Sequence, residues 1–147
     1  MNINILTIFP EIFDILKSGV VTKPIKEKTL NIELLDIRQN SVNKHNHVDS
    51  KPYGGGEGMV MMAEPIVKTL KQINKKNLGR VIFMSPQGKK LNQKKIISLS
   101  KLKNITIICG RYEGIDQRII DKYVDEEISV GDFILSGGEY AAICLVD

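Results

Sequence analysis

Apolar positions along the chain fall into short dense runs separated by polar, glycine-bearing segments. INILTIF at residues 3–9 reads as a strand closed by Pro10, and EIFDILK predicts a short helix ending near Gly19. NIELLDI predicts a second strand, Ile32 and Leu34 alternating with polar neighbours before Leu35 and Ile37. Residues 38–62 form a long polar, glycine-rich connection, and a loop of that length in a compact domain is usually functional or disordered. A helix is expected from Ala63 to about Lys76. Pro65 suits its first turn, Ile66, Leu70 and Ile73 share one face, and Lys68, Lys71 and Lys75 lie on others. RVIFMS then reads as a strand and PQG as a turn, and Asn92 can cap a helix reaching about Leu102. NITIICG is apolar almost throughout, as expected of a strand in a sheet covered on both faces. EGIDQRIIDKY predicts a helix with Ile115 and Ile119 one turn apart, VDEEISV a strand, and GDFILSGGE a loop. YAAICLVD can begin a last helix, and the chain then stops without a capping signal, as a piece of a longer protein would. Strands alternating with helices imply an α/β domain, a mostly parallel sheet flanked by helices. No repeat, low-complexity tract or linker divides it.

Composition narrows this picture little. With 147 residues, 42% hydrophobic and 26% charged, a single soluble domain is expected. No apolar stretch has the length of a membrane span, and the N-terminus lacks the basic start and cleavage site of a signal peptide. Cys109 and Cys144 both lie among apolar residues and are expected to be buried, reduced thiols of a cytoplasmic protein; there is no C-x-x-C pattern.

Charge is more informative. The net +4 conceals three blocks: residues 1–64 carry 7 basic and 8 acidic side chains, residues 65–112 carry 12 and none, and residues 113–147 carry 2 and 9. The middle block can make a field that attracts phosphate backbones. It is equally what a chain rich in Lys, Asn and Ile carries on its surface, and charge alone does not separate the two.

Three segments fall where predicted strands end: SPQG at 85–88, CGRYEG at 109–114 and VGDFILSGG at 130–138. In an open parallel sheet ligands bind outside the carboxyl ends of the strands, and glycines there let backbone groups approach a ligand closely. Neither GxxxxGK[ST] nor a GxGxxG after the first strand is present, which disfavours a pyrophosphate grip. Backbone groups facing Tyr112 or Phe133 suit a flat uncharged base, such as the adenine of an adenosyl ligand without phosphates. KPYGGGEGM at 51–59 is either a flexible linker or, given Lys51, Tyr53, Glu57 and Met59 around it, a mobile functional loop. His45, His47 and Asp49 have weak metal-ligand spacing, and Asp125, Glu126 and Glu127 read as solvated acidic surface, so no metal site is assigned.

PYGGGEGMVMM, SPQGKKL, CGRYEGID and VGDFILSGGE, in this order and spacing, resemble the bacterial tRNA (guanine-N1)-methyltransferases of the SPOUT class, from ILTIFPEIF to the last residue. The resemblance implies a trefoil knot at the carboxyl edge of the sheet and a homodimer. It implies methyl transfer from S-adenosyl-L-methionine to the tRNA guanine immediately 3′ of the anticodon. Carried over position by position, Phe83, Met84, Ser85 and Pro86 line the methyl-donor pocket. Gly110, Tyr112 and Glu113 form a second wall, while Val130, Gly131, Asp132, Phe133, Ile134 and Leu135, with Gly137 and Gly138, form the third and wrap adenine. Arg111 serves either structure or the RNA. The Arg and Asp that the family uses on guanine lie beyond the matched stretch, so no catalytic residue is assigned, and the C-terminal tRNA-binding domain is missing from residues 1–147. Ala141 stands where the family commonly has Pro. The readings from other classes are a basic RNA-binding module without catalysis and an ATP-binding α/β domain, the latter lacking a phosphate loop.

Overall fold

The computed structural model describes residues 1–41, 47–52 and 54–147. Five strands form one parallel sheet: β1 (Asn2–Thr7), β2 (Asn31–Asp36), β5 (Arg80–Lys90), β6 (Asn104–Cys109) and β7 (Glu126–Ser129), in the order β2-β1-β6-β5-β7. Two short strands, β3 (Asp49–Ser50) and β4 (Val60–Met61), pair antiparallel outside it. The helices are α1 (Thr22–Lys26), α2 (Ala63–Gln72), α3 (Lys75–Leu78), α4 (Gln93–Ser100), α5 (Gln117–Tyr123) and α6 (Gly138–Val146).

The apolar runs of β5 and β6 are explained by burial on both faces. Successive side chains of a strand point to opposite sides. Ile82, Met84, Ile105 and Ile107 accordingly join one core with Phe13, Leu16, Leu99, Ala141 and Ala142, while Val81, Phe83 and Ile108 join another with Ile66, Leu70 and Ile119. The first core is closed by α4, α6 and the 3-10 helix Pro10–Lys17, the second by α2 and α5. Each wholly buried isoleucine contributes about 1.5–3 kcal/mol relative to an exposed one.

Several local expectations need correction. EIFDILK is a 3-10 helix, and the short helix α1 forms around Pro24, where no element was assigned. The expected helix 63–76 breaks after Gln72. Ile73 adopts ψ 127° and is buried, and Asn74 starts α3 by accepting a 3.0 Å bond from the Lys76 N–H. The connection 38–62 contains the end of the 3-10 helix Ile37–Asn40, capped by Asp36, as well as β3 and β4. PQG is an excursion within β5: both Met84 and Lys89 pair with Ile128, so Ser85–Gly88 leave the ladder between them. Helix α5 begins at Gln117 behind an Asp116 cap, four residues later than predicted, and Ile115 lies outside it beside Met61. Cys109 is buried as expected, but Cys144 on α6 is exposed. The acidic trio is more than solvated surface, because Asp125 accepts from the Val81 N–H at 2.7 Å and Glu126 pairs with Lys95 and Arg80. Among the described residues no helix is long and apolar enough to cross a membrane.

Candidate ligand cavity at the carboxyl edge of the sheet

The carboxyl ends of β5, β6 and β7 surround a cavity of about 270 Å³. Its first wall is the excursion out of β5, with Phe83, Met84, Ser85 and Pro86; the Ser85 hydroxyl accepts from the Gln87 N–H at 3.2 Å and tightens the bend. The second wall, leaving β6, includes Gly110, Tyr112 and Glu113. The third, leaving β7, includes Val130, Phe133, Ile134, Leu135, Gly137 and Gly138. Thirteen of the fifteen residues singled out in the sequence therefore face one space; Gly131 and Asp132 do not line it.

Gly131 has a different role. A side chain there would begin 2.2 Å from the Phe133 ring, so the glycine lets that ring fold back on its own chain. Ser129 closes the turn, donating to the Gly131 carbonyl at 2.8 Å. Phe133, Ile134 and Leu135 remain largely exposed and make an open apolar flank. The lining residues that sequence reading left out are Gln87, Arg111, Gly114, Ile128, Ser129 and Ala141. The first three sit inside motifs already chosen, and Ile128 and Ser129 are the end of the strand that delivers Val130, so the strand-end rule could have found five of the six. Ala141 comes from α6 and needs the tertiary structure.

Arg111 carries the connection between walls. Its Nε donates to Glu139 Oε2 at 2.9 Å and its Nη1 to the Ser136 carbonyl at 3.2 Å. The Glu139 side chain is wholly buried, and its other oxygen accepts from the Thr7 hydroxyl at 2.9 Å. The guanidinium also lies 4.6 Å from the centre of the Phe9 ring. Of the two roles left open for Arg111, these bonds support the structural one: its donors hold the third wall and α6. Gly137 makes room for that pair, since a side chain there would start 2.2 Å from Arg111 Nε and 2.6 Å from Glu139 Oε2.

Gly110 and Gly138 were expected to admit a ligand, but the space at each is filled by protein. A Cβ on Gly138 would lie 2.9 Å from the Cys109 Cα, and one on Gly110 would lie 2.8 Å from the Phe83 ring. The two glycines meet directly, the Gly138 N–H donating to the Gly110 carbonyl at 2.8 Å. They bring α6 against the end of β6.

Tyr112 is held at φ +60°, a conformation uncommon for a residue with a side chain, and is half exposed at the cavity. Burial first, and then the charge and hydrogen-bonding influence of Asp49, push the phenol above its ordinary range. The neighbouring Glu113 N–H donates to the Met59 carbonyl at 2.9 Å, so the chain leaving the glycine-rich segment is pinned along the second wall. The remainder of that segment's reading involves Tyr53, which lies outside the described residues, as does His45 of the weak metal pattern. Among the described residues no three His, Cys, Asp or Glu side chains are grouped to hold a metal ion.

Charge around the cavity is sparse. Arg111 is the one cationic lining residue among those described, and its guanidinium is occupied by Glu139. Much of the basic block lies elsewhere: Lys75, Lys76, Arg80, Lys101 and Lys103 flank the beginnings of β5 and β6, at the opposite edge of the sheet. The lining therefore suits a ligand that is flat and apolar in part and carries no phosphate groups.

A family model described as tRNA (Guanine-1)-methyltransferase TrmD matches residues 1–147. The chain is 53% identical to a tRNA (guanine-N(1)-)-methyltransferase of Finegoldia magna and 52% identical to one of Clostridium perfringens. Each match covers all of this chain, and the chain spans 63% and 62% of those relatives' lengths. Among solved structures, a tRNA (m1G37) methyltransferase from Aquifex aeolicus superposes with a TM-score of 0.91 at 43% identity, over all of this chain and 67% of its own. With a family model covering every residue and a parallel sheet of the same form, the chain belongs to the tRNA (guanine-1)-methyltransferase family.

Proposed function

We propose that residues 1–147 form the methyl-donor unit of a tRNA (guanine-N1)-methyltransferase, binding S-adenosyl-L-methionine in the cavity for transfer to the guanine immediately 3′ of the anticodon. The observation that carries this reading is the convergence of SPQG, CGRYEG and VGDFILSGG on one cavity whose only lining cation, among the described residues, is already paired. A polyphosphate would meet no free positive group there, whereas an adenosyl group meets backbone, aromatic and aliphatic surface.

The bound donor supplies an activated methyl sulfonium, so no metal is needed to make it electrophilic. The chain's residues orient it and exclude water. Ser85–Gly88 and Val130–Gly138 bracket the ligand, with Phe133, Ile134 and Leu135 offering the apolar flank. Positioning of this kind contributes much of the acceleration of a transfer between two bound partners. Proton removal from guanine N1 is not assigned to any residue here.

The same reading includes a cytoplasmic homodimer and a knotted chain path. Ile15, Val20 and Tyr140 are exposed beside a hollow lined by Leu16, Ile143 and Cys144, which suits an apolar contact with a second copy. The Gly138 N–H bond to the Gly110 carbonyl, which brings the start of α6 against the end of β6, is compatible with the knotted path.

Thermal unfolding with S-adenosylhomocysteine tests the reading. A ligand at about 100 times its Kd stabilises by about 2.7 kcal/mol, a shift of several degrees. No shift at millimolar ligand favours the bare RNA-binding module, whose support is the basic block of residues 65–112. Competition by ATP at the same affinity favours the third class.

A further inference from the structure

Among the described residues no lysine lines the cavity, and Lys75, Lys76, Lys101 and Lys103 lie at the opposite edge of the sheet, so the backbone of an RNA presenting a base there calls for a cation held beside the cavity. Arg38 meets the requirement. It sits in the 3-10 helix Ile37–Asn40, and its guanidinium carbon lies 4.6 Å from the centre of the Phe9 ring, the same ring that Arg111 approaches at 4.6 Å. Two cations over one ring repel each other unless neutralised. Arg111 has Glu139 at 2.9 Å, but the Arg38 side chain makes no hydrogen bond or ion pair with any described residue. Asp36, two residues earlier, uses its carboxylate to cap the helix, accepting from the Arg38 backbone N–H at 2.8 Å. Among the described residues the guanidinium thus has no ion-pair partner and is held half-buried on the Phe9 ring.

The stacked arrangement suits anion binding. A guanidinium lying on an aromatic ring keeps its edge N–H groups free, and their fork matches phosphate oxygens. Because the ring already restrains the side chain, less freedom is lost when a phosphate arrives. Close by, Tyr112 presents a half-exposed ring at the cavity, and its phenol feels the charges of Asp49 and Arg38. Such a ring is a surface on which a base can stack.

We propose that Arg38, braced on Phe9, binds a backbone phosphate of the RNA whose base lies at Tyr112 in the cavity mouth. This rests on the methyltransferase reading only in taking RNA as the partner. Phosphate contacts fix register and carry no base information, so Arg38 positions the RNA without choosing its sequence.

The test is fluorescence anisotropy of this chain with an unmodified anticodon stem-loop, titrated between 50 and 200 mM salt. Each phosphate contact contributes about 0.7–0.9 to the slope of log K against log salt. Arg38→Gln is expected to lower the slope by that amount and to weaken binding about fivefold or more at 100 mM salt. Arg38→Lys keeps the charge and loses the fork; it is expected to retain the slope and bind roughly threefold more weakly. An unchanged slope in Arg38→Gln overturns the proposal. Should that variant fail to fold by circular dichroism, Arg38→Lys decides: affinity equal to wild type removes the forked contact. Titration with S-adenosylhomocysteine separates the two readings. A chain that binds RNA with an Arg38-dependent slope but no S-adenosylhomocysteine refutes the methyl-donor reading alone. One that binds S-adenosylhomocysteine but no RNA refutes the Arg38 proposal alone.

Discussion

Removing Glu139 should destabilise the protein more than any comparable surface change. The carboxylate is wholly buried and serves two partners, Arg111 Nε and the Thr7 hydroxyl, both at 2.9 Å. Deleting one member of a buried ion pair costs about 3–5 kcal/mol, because the remaining charge stays desolvated. The lower part of that range applies here. The Arg111 side chain is 16% exposed and keeps the Ser136 carbonyl and the Phe9 ring. Glu139→Ala is therefore expected to lose about 3 kcal/mol, a large share of a typical stability of 5–15 kcal/mol. Glu139→Gln fills the same volume and can still bond both neighbours, with its oxygen toward Arg111 and its amide toward Thr7. It loses the charge alone, and about 1–2 kcal/mol is expected.

Urea unfolding of the single variants, of Arg111→Met and of Arg111→Met with Glu139→Gln measures this. With both charges gone, no unpaired ion remains in the interior, so the double variant should be more stable than the two single losses predict, by about 1 kcal/mol or more. Additive losses within about 0.5 kcal/mol, or a Glu139→Ala protein as stable as wild type, would falsify the claim that this pair holds the third wall.

Three further outcomes follow from individual groups. A thiol reagent should label one cysteine quickly in the folded protein, the exposed Cys144, and reach Cys109 only on unfolding; burial, then the Glu139 charge, push the Cys109 thiol well above its ordinary range. Asp116 caps α5 and is held below the usual carboxylate range chiefly by the Arg118 guanidinium. Its contribution should be complete above about pH 4 and fade as the pH falls through its folded value, and Asp116→Asn should flatten the stability profile in that window. Tyr112, raised by burial and by Asp49, favours folding fully below the unfolded phenol value and less as the pH rises through its own. One of the four tyrosines should ionise late in an ultraviolet titration, and Asp49→Asn should bring it forward; simultaneous ionisation of all four counts against the contact.

The sheet and the cavity were legible in the sequence to different depths. Strands β1, β5 and β6 were visible because each carries a dense apolar run buried on both faces, while β2 and β7 were read from shorter apolar patterns mixed with polar residues. The break after Gln72 was not, since Ile73 continues the helical apolar spacing while its backbone has already left the helix. The cavity residues were found because glycine-rich strand ends mark a ligand edge, and the family resemblance sharpened the choice. The reason for the glycines was misread. Sequence shows that a side chain is absent, but not what occupies its space. At Gly138 that space holds the Cys109 backbone, a contact 29 residues away along the chain.

That difference changes what substitution should do. A methyl group at Gly138 meets backbone at 2.9 Å, and backbone cannot swing aside as a flexible side-chain end can. Gly138→Ala is therefore expected to cost about 1–3 kcal/mol by overpacking, even though alanine is the better helix former at an exposed position. Had the glycine served only to admit a ligand, the same change would leave urea unfolding untouched and weaken S-adenosylhomocysteine binding alone. At Gly110 the obstructing atoms belong to the Phe83 ring, which can turn, so Gly110→Ala should be the milder of the two. Equal losses at both positions, or a larger one at Gly110, would show that α6 adjusts its distance from β6 and that the close approach of the two glycines is not what fixes the third wall.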